Sequence, residues 1–142
     1  FIGDAVIAIF PYEKKNRPLV NMARAAAATA RETIARVDRR NQQLADTGRP
    51  PIRLGISLHV GSVMYGNIGT ERRLEFSVIG PAANEVVRLE DLCKKLQTQV
   101  VVSSSFNDVY PEDLVPLGNH PAAGVKGGLT AFTFPEFQPN SA

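Results

Sequence analysis

The sequence predicts an α+β sandwich, with helices packed on a sheet. Three observations carry that expectation. Apolar residues recur at spacings of three and four in two long stretches, 19–37 and 82–96, the period of a helix with one buried face. A strict two-residue alternation runs through 52–60, the period of a strand. Strand-like and helix-like segments alternate along the chain, and the late ones are strand-rich, a pattern that suits helices laid on a sheet.

The chain opens FIGDAVIAIF. Ile2, Val6, Ile7, Ile9 and Phe10 read as a buried strand stopped by Pro11. Phe1 already lies inside the apolar run, as expected of a chain that begins within a domain. A basic turn, KKNRP, comes next, and Pro18 can open a helix. Leu19, Ala23, Ala26, Ala30, Ile34 and Val37 form its apolar stripe. Arg24, Arg31, Arg36, Arg39 and Arg40 lie mostly off that stripe. No aromatics interleave with them and the formal net charge is only +2, so they read as a solvated face and no nucleic-acid partner is expected. The loop DTGRPP ends this helix.

IRLGISLHV is the cleanest strand. Ile52, Leu54, Ile56, Leu58 and Val60 share one face, and Arg53, Gly55, Ser57 and His59 the other. Gly61, Gly66 and Gly69 punctuate the segment after it. In RLEFSVI, Leu74, Phe76 and Val78 alternate with Arg73, Glu75 and Ser77. These two strands are expected to pair as neighbours. Pro81 starts a second helix, with Ala82, Val86, Leu89, Cys93 and Leu96 on its apolar stripe and Asn84, Arg88, Asp91 and Lys95 on a polar one. VVVS at 100–103 is continuously apolar, as in a sheet interior. SSSFNDVYPEDL reads as a short helix and turn. LVPLG and TAFTF read as late strands joined by the loop HPAAGVKGG, and the tail QPNSA is expected to fray.

At 142 residues this is one domain or part of one. No apolar stretch reaches the length of a membrane span or signal sequence. The single cysteine, Cys93, rules out an internal disulfide and reads as a small core residue.

Several residues carry candidate chemistry. Asp4 follows a glycine, which suits a tight bend. It also stands at the edge of an apolar run, where a carboxylate is costly unless it is paired or metal-bound. Magnesium takes one or two carboxylates together with substrate phosphates, so Asp4 is a candidate ligand. Asn84 and Arg88, four apart, share a helical face; they are a surface pair or two groups entering one cleft. Ser77 lies on the non-core face of its strand. His59 has no second histidine or cysteine at ligand spacing and reads as structural. Lys126, between Val125 and two glycines, is either a phosphate-gripping loop residue or part of a hairpin turn; no P-loop Ser or Thr comes after it.

Taken in order, FIGDAVIAIF, LGISLHVGSVMYGNIGTERRLEFSVIGPAANEVVRLEDL and GVKGGLTAF resemble the catalytic domain of class III adenylyl/guanylyl cyclases. The resemblance spans most of the chain and is weak in the Arg-rich helix and the tail. It implies a ferredoxin-like βαββαβ-type sandwich with a mainly antiparallel sheet, and a homodimer whose active sites are shared between subunits. Residues 1–142 would then be the C-terminal major part of one catalytic domain. The resemblance implies that Asp4 is one of two aspartates holding Mg2+ or Mn2+, with two ions per site. It implies that Asn84 orients the ribose, Arg88 stabilises the transition state and Lys126 grips the terminal phosphates. Ser77, with Val78 beside it, falls at the second base-reading position, where many adenylyl cyclases carry Asp or Thr. Serine keeps a hydroxyl, so ATP remains the expected substrate and GTP the alternative; a silent nucleotide-binding or dimerisation module is the other. The second metal aspartate and the base-reading lysine precede Phe1 in the family, so residues 1–142 alone are expected to be inactive or nearly so. An upstream regulatory domain and a cytoplasmic location, free or as part of a membrane-anchored protein, complete the expectation.

Overall fold

A 28-residue helix, α1 (Leu19–Asp46), begins directly after Pro18, whose backbone at φ −56° and ψ 147° stands just outside the helical region. Of its predicted stripe Ala23, Ala30 and Ile34 are buried, joined by Ala27, while Leu19, Ala26 and Val37 are half-buried. The computed structural model describes residues 4–70 and 73–139. After α1 come β1 (Ile56–Leu58), β2 (Met64–Thr70), β3 (Arg73–Ile79), α2 (Pro81–Leu96), β4 (Val100–Ser103), α3 (Ser104–Val109), β5 (Val115–Ala122) and β6 (Val125–Thr133). A short 3-10 turn, Pro135–Phe137, ends the series.

The main sheet has four strands in the order β1-β4-β6-β5. β1 and β4 are parallel, and the other two pairings are antiparallel. Every residue of β4 is buried, as its continuous apolar run predicts. Alternate side chains of β4 feed two cores. Val100 and Val102 pack with Ala23, Ala27, Ile34, Phe106 and Phe134 on the α1 side. Val101 packs with Leu89, Leu92, Cys93, Leu129 and Ala131 on the α2 side. The result is a sheet with helices on both faces, the α+β sandwich expected. Cys93 is buried and free.

The strand expected over 52–60 is realised only at Ile56–Leu58, and Ile52, expected on its core face, is 47% exposed. The structure departs from the sequence-based expectation in three further places. Residues 4–10 form no extended strand: Asp4 is in a turn and Val6 is 66% exposed. Ala5 alone is in a β-bridge, and among the described residues the segment joins neither sheet. Ile2 of the predicted strand and residues 140–142 of the predicted frayed tail lie outside the described residues, as does the facing of Leu74 and Phe76.

The second correction concerns pairing. β3 does not join β1. It forms a separate two-stranded sheet with β2, antiparallel from Met64–Ile79 to Thr70–Arg73. β2 contains Gly66 and Gly69, and glycines within a strand read as punctuation. The two strands are joined by only two residues, 71 and 72, a length that favours an antiparallel hairpin over a longer excursion.

Third, the loop expected at HPAAGVKGG is mostly strand. β5 and β6 run up to a two-residue turn, Ala123–Gly124. Gly124 at φ +77° supplies the left-handed backbone this turn needs. Register shifts at Pro116/Gly118 and His120/Ala122 absorb the irregular sequence.

Candidate active site

Helix α2 carries the predicted polar stripe outward: Asn84, Arg88, Asp91 and Lys95 are all exposed. Asn84 and Arg88, one turn apart, both border a cleft of about 710 Å³. Glu85 lines it too, and its other walls are the junction of β3 and α2 at Ile79–Pro81 and the β5–β6 turn at Ala123–Val125. Lys126 is the next residue after that wall and is exposed. Nη1 of Arg88 donates to Oδ2 of Asp91 across 3.3 Å.

Asp4 is exposed and borders a different cleft, of about 630 Å³, between residues 4–12, α1, β1 and α2. Val78 borders that second cleft too. Ser77 is half-buried on β3, opposite Gly66. Within one chain, then, Asn84 and Arg88 come together at one cleft, Lys126 stands on β6 one residue past its wall and does not line it, and Asp4 and Val78 open elsewhere.

Among the described residues no three His, Cys, Asp or Glu side chains gather as a metal cage. Asp4 is an exposed carboxylate at an open cleft. That suits a divalent ion arriving with a triphosphate, for which magnesium keeps only one or two protein carboxylates. Glu90 on α2 has its carboxyl raised by burial, and further by the charges of Asp91 and Asp4.

α2 is positioned by one face of the β1 segment. The small and polar residues of that face, Gly55, Ser57, His59 and Gly61, track the helix residue by residue. A Cβ on Gly55 would lie 2.9 Å from Cys93 Cβ. Ser57 Oγ donates to the Val86 carbonyl at 2.6 Å. Nε2 of His59 lies 2.7 Å from Oε2 of Glu85. A Cβ on Gly61 would lie 2.6 Å from Cβ of Ala82. The small residues let the helix approach closely. The hydroxyl and imidazole hold it there.

His59 is the structural histidine expected, with its side chain 9% exposed. Its Nδ1 meets Ser103 Oγ at 2.8 Å and Ser105 Oγ at 3.2 Å. Burial lowers its pKa, and the carboxylate of Glu85 partly offsets that. Nothing in the sequence singles out Glu85 itself. The signal for it is His59 on a face of small residues, which marks where a helix packs. Cys93 donates to the Ile56 carbonyl at 3.4 Å. Burial, with Glu90 nearby, pushes its thiol up to about 12, so it is no nucleophile.

No helix among the described residues is long and apolar enough to cross a membrane. No family model matches the chain. An adenylate cyclase of Anabaena cylindrica is 33% identical over 106 residues, covering 74% of this chain and 20% of the relative. A terminal-differentiation-specific adenylate cyclase of Dictyostelium discoideum is 29% identical over 103 residues, covering 72% of this chain and 5% of the relative. The chain thus spans a fifth or less of these two proteins. Among solved structures, the guanylyl cyclase Cya2 superposes with a TM-score of 0.65 at 26% identity, covering 85% of this chain and 61% of that one. The adenylyl cyclase CyaB of P. aeruginosa shares the fold, with a TM-score of 0.61 at 18% identity over 90% of this chain and 65% of that one.

Proposed function

The chain belongs to the class III adenylyl/guanylyl cyclase catalytic-domain family, and on that premise we propose that it forms the catalytic part of an adenylate cyclase, converting ATP to 3′,5′-cyclic AMP and pyrophosphate. The observation that carries this reading is the pairing of Asn84 and Arg88, one turn apart on the exposed side of α2, at the same cleft. In the reaction the 3′-hydroxyl attacks the α-phosphorus and pyrophosphate leaves. Arg88, a planar donor fork beside the cleft, stabilises the charge that develops on the α-phosphoryl group, usually the largest catalytic term. Asn84 orients the ribose, which lowers the entropic barrier. Ser77, with Val78, contributes to base recognition. Lys126, beyond the β5–β6 turn, holds the terminal phosphates. Mg2+ or Mn2+ held in part by Asp4 would supply charge neutralisation and activation of the hydroxyl.

Asp4 opens on a different cleft from Asn84 and Arg88. This supports a homodimer in which Asp4 of one subunit serves a site completed by Ser77, Asn84, Arg88 and Lys126 of the other. GTP is the second reading. It is favoured by the departure of Ser77 from the Asp or Thr of many adenylyl cyclases, and by likeness to a structure named a guanylyl cyclase.

The test is turnover by the full-length protein with ATP and with GTP, each with Mg2+ and with Mn2+. Cyclic AMP as the main product is expected. Cyclic GMP as the sole product would shift the assignment to GTP. No cyclic product from either, in a folded dimer that binds nucleotide, would leave a silent module.

A further inference from the structure

The first two turns of α2 carry Asn84 and Arg88, the residues proposed to act on the ribose and the reacting phosphate, yet the helix start has no side-chain cap. Its N-cap is Gly80, and Pro81 comes next. What holds this turn is the β1 segment. His59 is the centre of that hold. Its Nε2 reaches Glu85, the residue after Asn84, at 2.7 Å. Its Nδ1 reaches Ser103 at 2.8 Å. Ser103 in turn caps α3 by accepting from the Phe106 N–H at 3.1 Å. Ser105 lies 2.9 Å from Ser103 and donates to the Val60 carbonyl at 2.9 Å. The imidazole therefore ties α2 to β1, β4 and α3 at once.

Ser103, His59 and Glu85 have the residue types of a hydrolytic triad, but the geometry is not one. Ser103 is 4% exposed, and its oxygen is already committed to the helix cap. Proton accounting points to a brace. Nε2 carries a hydrogen and donates to Oε2 of Glu85. The Ser105 hydrogen goes to Val60, which leaves the Ser103 hydrogen between two acceptors, Nδ1 at 2.8 Å and Ser105 Oγ at 2.9 Å. Each polar atom is used, and no buried side-chain nitrogen or oxygen among the described residues lacks a partner.

We propose that His59 is a positioning residue: through Glu85 it fixes the rotation of the first turn of α2, and with it the directions in which Asn84 and Arg88 enter the cleft. This rests on the cyclase reading. Glu85 stands at the edge of the buried stripe, its side chain 33% exposed, and lines the same cleft. At about 100° per residue Arg88 and Asn84 lie roughly 60° and 100° round the helix from it on one side, so fixing its direction fixes theirs. Releasing Glu85 lets the turn roll or fray. A displacement of about 1 Å in a catalytic group can cost roughly 100-fold.

The experiment uses the full-length protein with His59→Leu, His59→Gln and Glu85→Leu. His59→Leu keeps most of the volume and removes both contacts. It is expected to lower kcat roughly 10- to 100-fold, with KM moving less than about threefold. His59→Gln retains a donor toward Glu85 and should recover most of kcat. The double variant His59→Leu/Glu85→Leu should lose no more than His59→Leu alone, because both act through one contact. Amide exchange gives an independent readout. In His59→Leu, residues 84–88 should exchange about tenfold faster while 92–96 do not change. A wild-type kcat in folded His59→Leu overturns the inference, and so does exchange that is unchanged at 84–88 or faster throughout the chain. If the wild-type protein makes no cyclic nucleotide, the cyclase reading falls, and the exchange arm still decides whether His59 positions α2.

Discussion

Arg88 and Asp91 stand three residues apart on α2 and meet through a single 3.3 Å contact, with their side chains 45% and 57% exposed. A pair that long and that exposed holds the guanidinium weakly. It leaves the fork free to turn into the cleft when a phosphate arrives. Arg88→Ala should therefore lower kcat by roughly 10²–10³, the scale of losing one preorganised donor, and change KM far less. Arg88→Lys should recover little, because a point charge lacks the planar fork. Asp91→Ala should leave kcat within about threefold and stability within about 0.5 kcal/mol. Steady-state kinetics beside a thermal melt check both; a normal kcat in folded Arg88→Ala removes the catalytic assignment.

Lys126 is expected to show the opposite split. It is exposed on β6, one residue past Val125 of the cleft wall, and would hold the part of the substrate that does not change at the reacting centre. Lys126→Ala should chiefly raise KM for the metal–nucleotide complex, a loss of uniform binding. A fall in kcat at constant KM would place this lysine at the transition state instead.

Complementation checks the shared site. Asp4→Ala and Arg88→Ala should each be inactive as homodimers. Mixed, they should recover part of the activity, because one of the two sites in a heterodimer keeps both residues. No recovery while heterodimers demonstrably form would mean that Asp4 and Arg88 act within one subunit.

Gly61 is predicted to be intolerant for a reason of packing. The added methyl of Gly61→Ala would sit 2.6 Å from Ala82 Cβ and 3.2 Å from His59 Nε2. Neither Cβ can swing aside, so α2 must shift. Overpacking of this kind costs about 1–3 kcal/mol, read as a lower urea midpoint. Ala82→Gly in the same chain should relieve part of it.

Stability should also depend on pH through His59. Burial lowers its native pKa below the ordinary 6.5. As pH falls below 6.5, the unfolded chain takes up the proton before the folded one does, so stability declines. The decline ends once pH passes below the native value. Above 6.5 the group contributes no slope. Urea midpoints between pH 7.5 and 5.5 should fall more steeply for the wild type than for His59→Gln.

The helices were legible because their apolar residues keep helical period and their starts carry proline: Pro18 and Pro81 both stand at helix starts. β4 was legible because a strand buried on both faces needs an unbroken apolar run. β2 was not, since Gly66 and Gly69 remove the side chains that reveal a strand. The partner of β1 was not legible either. Alternation marked the apolar face of β1 but not that α2 covers the other, and it says nothing about which edge is paired: β1 pairs across 44 positions with β4. At the site, helical periodicity alone put Asn84 and Arg88 on a shared face. The hold on that face was hidden, because His59 and Glu85 are brought together only by the packing of α2 on β1.

The contact between Arg31 and Glu136 spans 105 positions, and the same guanidinium lies 4.5 Å over the ring of Phe134. Phe134 is fully buried against the stripe of α1. During synthesis α1 therefore leaves the ribosome long before the residues that cover it. At about 5–20 residues per second, the interval is roughly 5–20 s, during which Ala23, Ala27 and Ile34 have no Phe134 to meet. Vectorial folding cannot close this core from the N-terminal side. The stripe must wait, exposed or chaperoned, until Phe134 is made, and ribosome-bound chains stopped before Phe134 should remain sensitive to protease in α1.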